Sequence, residues 1–259
     1  MRSQTDGGWG GDHGVPTAIC AAGDNMVLSW DFAEAGCGLI RTNVDGKKKW
    51  GIAQNPIFLA SDGERIYGGY QRDERKILCF YLKDGRPLAY ADGTASLAPP
   101  PGAGGRTSSV TGLACADGKV YVAFSASRMV AIYDAKTGAL LTTWSVPMPG
   151  QMAALPGGGM AVISDGRKLV TVKDGKVAEL ASDHVDAPTA VAVDAKGSFY
   201  VSNRGKLQNA SVFSPEGKYI RSIGKEGGRP TLGRFDPAGM LRPAGVAIGA
   251  KGPRRPENC

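Results

Sequence analysis

The sequence is poor in the groups that enzymes use most often. It has two histidines in 259 residues, and its five cysteines (Cys20, Cys37, Cys79, Cys115 and Cys259) include no CxxC pair. That spacing argues against a cysteine-bound metal, and the odd count argues against a complete disulfide framework. Cys20, Cys79 and Cys115 fall in predicted strands, where buried free thiols are expected. There is no G-x-S-x-G elbow and no Cys-His pattern for nucleophilic catalysis. The glycine-rich stretches 99–106 and 157–159 lack the Lys-Ser/Thr of a phosphate loop. No apolar run approaches the ~18 residues of a membrane span, and no amphipathic helix exceeds two turns. Met1 is followed by polar, glycine-rich residues without a signal-peptide pattern, which leaves localisation open.

Charge is modest. The net charge of +7 permits nucleic acid or acidic polymers as partners without demanding them. Its densest cluster, Lys47-Lys48-Lys49, sits beside a predicted hairpin turn. Arg72, Arg75 and Lys76 are interleaved with Asp73 and Glu74 on a loop. Solvated loop charges account for both, and no RNP-type aromatics, zinc finger or helix-turn-helix accompanies them.

Glycine is what the chain has in excess. Its 38 glycines are about twice the usual share, and they separate short apolar, β-branched runs. Two series keep time along the chain. Gly23, Gly63, Gly118, Gly158, Gly197 and Gly252 follow one another at 40, 55, 40, 39 and 55 residues. Gly46, Gly85, Gly138, Gly175 and Gly217 follow at 39, 53, 37 and 42. A ~40-residue period of four short strands is the spacing of β-propeller blades. Gaps above fifty contain the linkers 98–106 and 225–242, read as surface insertions.

The best-formed unit is 186–224, DAPTAVAVDAKGSFYVSNRGKLQNASVFSPEGKYIRSIG. A Pro precedes an apolar strand, then come V-D-x-x-G, Y-V and V-F-x-x-x-G. This pattern resembles the NHL repeat. The glycine-rich stretch after it, with Gly227-Gly228, Gly233-Arg234-Phe235 and Pro237, is similar to that family's inter-blade linker. The close resemblance covers about 183–252. One departure is a longer loop at 202–209. The resemblance implies an all-β propeller of the six-bladed type, with five complete four-stranded blades and an incomplete sixth. Blades are expected at about 17–52, 57–90, 110–146, 151–180 and 189–223, with a partial blade at 244–252. An N-terminal extension (1–16) and a non-propeller tail (253–259) flank this single domain, since Pro253 and Pro256 exclude a central strand. An unfinished ring exposes strand edges, so self-association through the incomplete blade is expected.

In such a propeller the loops entering each first strand share a face with the loops between second and third strands. Both histidines fall in equivalent loops there. Asp12-His13 and Asp183-His184 are each followed, after a short spacer, by Pro-Thr-Ala. His13 and His184 could serve one catalytic or metal site, with Asp12 and Asp183 as further ligands or orienting acceptors. Glu34, Asp186, Asn203, Arg204 and Arg242 are ligand-binding candidates on the same face. Asn could ligate a hard cation through its carbonyl, and Arg could hold an anion. Solvated loop histidines, a turn-forming Asn and ordinary loop charges are the plainer readings.

The resemblance implies a recognition module that binds protein, or a small-molecule or polymer ligand, at the channel mouth. The alternative is a metal-dependent enzyme of lyase or lactonase/hydrolase type using a divalent cation. Streptogramin lyases and gluconolactonases are similar six-bladed propellers of that kind, but this chain does not match their motifs residue by residue. RNA or polyanion binding is a third reading.

Overall fold

The computed structural model describes residues 15–32, 36–70, 77–91, 93–103, 109–230 and 236–249. They form five four-stranded antiparallel sheets, each in simple sequential order. Blade one contains β1 (Val15–Ala22), β2 (Asn25–Phe32), β3 (Gly36–Asn43) and β4 (Lys48–Ile52). Blade two contains β5 (Phe58–Ser61), β6 (Arg65–Gly69), β7 (Ile77–Tyr81) and β8 (Pro87–Leu88). Blade three has β9 (Val110–Ala116), β10 (Lys119–Phe124), β11 (Met129–Asp134) and β12 (Leu140–Ser145). Blade four has β13 (Pro149–Ala154), β14 (Met160–Ser164), β15 (Lys168–Lys173) and β16 (Lys176–Ala181). Blade five has β17 (Pro188–Val193), β18 (Phe199–Asn203), β19 (Asn209–Phe213) and β20 (Tyr219–Ile223). First strands neighbour first strands from blade to blade, which makes them the inner strands of a propeller. No helix of the described residues is long and apolar enough to cross a membrane.

The turn chemistry explains the V-D-x-x-G motif. Asp194 Oδ1 accepts the backbone N–H of Lys196 and of Ser198, both at 2.9 Å, and Gly197 donates to the Asp194 carbonyl. Gly197 has φ of +83°, which a side chain would strain. Asp134 closes the β11–β12 turn in the same way through the N–H groups of Lys136 and Thr137. Such side-chain-to-backbone bonds fix hairpin register locally.

Blades bury apolar flanks against one another. Between blades two and three lie Tyr67, Ile77, Leu113, Val120, Val122 and Phe124. Between three and four lie Tyr121, Ala123, Val130, Ile132, Met152 and Val162. The linker after blade two is not wholly a surface insertion, because Pro100 and Ala103 are buried and Leu97 just before it is buried too. Leu97 and Ala103 belong to the core between blades two and three, and the Ala98 carbonyl accepts the Tyr133 hydroxyl at 2.7 Å. The blade-five loop is also shorter than expected, because Ser202, Asn203 and Asn209 are strand residues.

Residues 243–249 carry no strand assignment but have a defined place beyond blade five. Val246 and Ile248 pack on Ala192, Tyr200 and Val212. The Thr189 hydroxyl donates to the Pro243 carbonyl at 2.9 Å. The same bond recurs between neighbouring blades, from Thr111 to the Pro149 carbonyl (2.6 Å) and from Thr17 to the Pro56 carbonyl (3.4 Å), which also accepts Ser29 of β2 at 2.5 Å. A Cβ on Gly245 would fall 2.8 Å from Ile19 of blade one. The segment therefore lies between blades five and one.

Candidate functional site

The richest polar cluster among the described residues is on the loops of blade five, and Asn203 is its anchor. Asn203 ends β18 and is 0% exposed. A buried amide must have its polar atoms paired. Its Oδ1 accepts the N–H of Asp186 at 3.0 Å. Its Nδ2 lies 2.8 Å from Ser211 Oγ, and 3.2 Å from both the His184 carbonyl and Asn209 Oδ1. Ser211 Oγ donates to the same His184 carbonyl at 2.8 Å. The incoming loop 182–187 is thus tied to the two central strands of the sheet.

Asp186 joins this loop to 204–208. Its carboxylate accepts the Leu207 N–H at 3.0 Å, and its carbonyl accepts the Gly205 N–H at 3.1 Å. A side chain at Gly205 would collide with the Asp186 carboxylate, so glycine is needed there. The Arg204 N–H donates to the Ala187 carbonyl at 3.1 Å. Arg242 is brought in through Gln208, whose Oε1 accepts the Arg242 N–H at 2.6 Å. Both arginine side chains are exposed.

Backbone strain gathers at the same place. Asp117, Asp165 and Asp174 also have positive φ, each before a glycine in a hairpin turn, and Arg128 and Met148 have φ of 50° and 33° in the β10–β11 and β12–β13 loops. His184, Ala187, Gln208 and Arg242, with φ of 57°, 44°, 48° and 49°, belong to the blade-five loops. Left-handed backbone at such residues persists only where surrounding contacts hold it, and it concentrates at ligand clamps.

The His184 ring points to the outer rim rather than over the inner strands. It stacks on Tyr219 of β20, with centroids 3.7 Å apart and planes at 10°. Phe213 meets Tyr219 edge-on at 6.1 Å. The stack borders an open groove of about 650 Å³ between β16 and the β19–β20 turn, lined also by Glu179, Ser182, Asp183 and Lys218. A 2.6 Å hydrogen bond from Lys168 holds the Glu179 carboxyl below its ordinary range. Val177, Tyr219 and Ile220 are exposed on the strands flanking the groove.

Of the residues singled out by sequence, the structure brings Asp183, His184, Asp186, Asn203, Arg204 and Arg242 into one loop system. Asp12, His13 and Glu34 lie outside the described residues. Among the described residues, no group of three or more His, Cys, Asp or Glu could hold a metal ion. Sequence reasoning missed Tyr219, Gln208, Asn209 and Ser211. The visible signal for part of this set was the pair Asn203 and Asn209 bracketing a Gly-containing loop, a pattern that suits side-chain-to-backbone bonding.

No known family model matches the chain, and no curated protein matches it. Solved structures do. A protein of unknown function from Bacteroides thetaiotaomicron is 13% identical with a TM-score of 0.62, over 90% of this chain and 64% of that one. A chain from a nidogen/laminin complex is 12% identical with a TM-score of 0.62, over 81% of this chain and 80% of that one. A putative 6-phosphogluconolactonase from Bacteroides uniformis is 14% identical with a TM-score of 0.58, over 92% of this chain and 76% of that one. The likeness is one of fold. It supports a β-propeller, and at such low identity it carries no activity across.

Proposed function

We propose that this chain is an NHL-like recognition module with six blade positions, which binds an extended protein segment at the loop face and outer rim of blade five. The observation that carries the reading is the His184–Tyr219 stack, presented to an open groove by a loop whose backbone is clamped through buried Asn203. Interfaces concentrate energy in aromatic anchors surrounded by polar residues. Here the aromatic pair has Glu179, Asp183 and Lys218 around it and exposed Val177 and Ile220 on adjoining strands. Clamping matters because a preorganised loop loses less entropy on binding. The six-position count is supported by Pro243, whose carbonyl receives Thr189 as Pro149 receives Thr111.

A random-peptide array probed with the wild-type protein and with His184→Ala, Tyr219→Ala and Asn203→Ala variants tests the reading. Retained peptides should lose affinity at least about 30-fold with either ring truncation, corresponding to a hot spot of about 2 kcal/mol. Asn203→Ala should weaken the same peptides by loosening the loop. Identical binding by all four proteins, or no peptide retained by the wild type, would sink the reading.

A further inference from the structure

Large hydrophobic side chains exposed among the described residues fall in two places. Val177, Tyr219 and Ile220 belong to the strands that flank the blade-five groove. Leu140, Leu141 and Met148 are 39%, 50% and 48% exposed on or just after β12, the outermost strand of blade three. Among the described residues β12 pairs with β11 alone. The Val146 N–H donates to the Arg128 carbonyl at 3.0 Å and so extends the β11–β12 ladder. Pairing alternates along an antiparallel strand, so Trp144 and Thr142 also turn their backbone groups to β11. Thr143 and Ser145 turn theirs outward, and both residues are exposed.

The other outermost strands are guarded against further pairing. β4 carries exposed Lys48 and Lys49, and β8 is two residues long and begins with Pro87. β16 carries exposed Lys176 and Glu179, and β20 carries exposed Arg221. Charges, prolines and short length are what keep sheet edges from joining. β12 has none of these. Residues 139–146 read ALLTTWSV, and no charged residue lies between Lys136 and Asp165. The bulge at Leu141 does not set this edge apart, because Lys49 of β4 and Ile220 of β20 are bulged in the same way.

We propose that β12 pairs antiparallel with β12 of a second copy of this chain, joining the two third blades into one sheet. A two-fold axis makes the paired edges antiparallel and sets the same surface against itself. An uncharged edge selects an uncharged strand, and β12 is itself such a strand, already extended, so little ordering entropy is lost. Self-pairing places no like charges opposite one another, although the chain as a whole carries +7. The register that pairs most of the strand sets Thr143 opposite its own symmetry mate and lays Leu140 and Leu141 of each copy alongside the other. None of the blade-five groove residues takes part, so the contact stands apart from the peptide-binding reading.

Sedimentation velocity of the full chain across a concentration series tests this. The wild type should show a monomer–dimer equilibrium that added salt does not weaken, since the contact is uncharged. Thr143→Lys and Thr143→Glu each set like charges across the axis and should weaken dimerisation at least about tenfold. An equimolar mixture of the two should recover the dimer. Ala178→Lys, on the outermost strand of blade four, should leave it unchanged. Thermal melts of the exposed Thr143 variants check that they stay folded. A wild type that remains monomeric overturns the proposal, as does a dimer weakened equally by Ala178→Lys. A dimer indifferent to Thr143→Lys overturns it by placing the contact elsewhere, such as the open flank of blade one. A Lys–Glu mixture that stays monomeric overturns it as well, because Thr143 would then not face its own mate.

Discussion

Second strands β10 and β2 sit at the same place in their blades and have different surroundings. In β10, Val120 to Phe124 are all buried, as expected of a strand covered on both faces. In β2, Val27 and Ser29 are buried, while Met26, Leu28 and Trp30 are only half-buried. The buried set faces blade two, where Val27 joins Leu59, Ile66 and Phe80. The half-buried set, with Ile19 and Ile40 paired alongside Leu28, faces away from blade two and is touched by Gly245. Both strands have apolar residues on both faces. Blade one therefore has the composition of an inner blade in the surroundings of an end blade, and the difference lies in its neighbour rather than in its own sequence.

The sharpest way to break this comparison is to truncate one large residue on each strand. Phe124 is fully buried, and Phe124→Ala should cost about 3–5 kcal/mol. Leu28→Ala on the half-covered flank should cost about 1 kcal/mol, because less apolar area leaves water on folding. Urea denaturation of the two variants measures both. Equal costs would mean that the blade-one flank is covered in solution, by residues of this chain or by a second copy, and the concentration dependence of the midpoint distinguishes those cases.

The turn glycines give a second, smaller contrast. Gly138→Ala forces a methyl against the Tyr90 ring and strains a φ of 74°, so about 2–3 kcal/mol should be lost. Gly46→Ala meets the same strain without a described neighbour and should cost about 1 kcal/mol. If thermal melts show the two substitutions to be equally damaging, the Gly46 turn is covered in solution.

Much of this architecture was legible because turn glycines and their Asp partners act locally. Asp194, Gly197 and Gly217 are needed by the backbone where they stand, so their period reports the blades directly. The inward packing of Leu97 and Ala103 was not legible. A Pro- and Gly-rich linker has the composition of a surface loop, and only the gap between blades two and three makes it core. The loop candidates of blade five were legible as a group. The direction of the His184 ring was not, because it depends on a left-handed φ set by Asn203 and Ser211 from other strands. Those contacts are tertiary and leave only the pair of asparagines as a trace.

Thiol ionisation sharpens the comparison further, since it asks whether water reaches blade one from its open side. Burial pushes the Cys20 thiol of β1 from its ordinary 9.0 up to about 12, and the Cys79 thiol of β7 likewise to about 12. The sign follows from proton binding. Between pH 9 and 12 the unfolded chain has lost these protons while the folded chain keeps them. Their contribution is complete below pH 9 and falls by up to about 1.4 kcal/mol per pH unit for each thiol until the folded value is passed. Urea midpoints between pH 8 and 11 should therefore fall with pH in the wild type, and the slope should be shallower in Cys20→Ala and in Cys79→Ala. A slope reduced by Cys79→Ala and untouched by Cys20→Ala would show that Cys20 ionises near 9 in the folded state. Water would then reach the inner strand of blade one, and the open flank would have a cost that extends to the face packed on blade two.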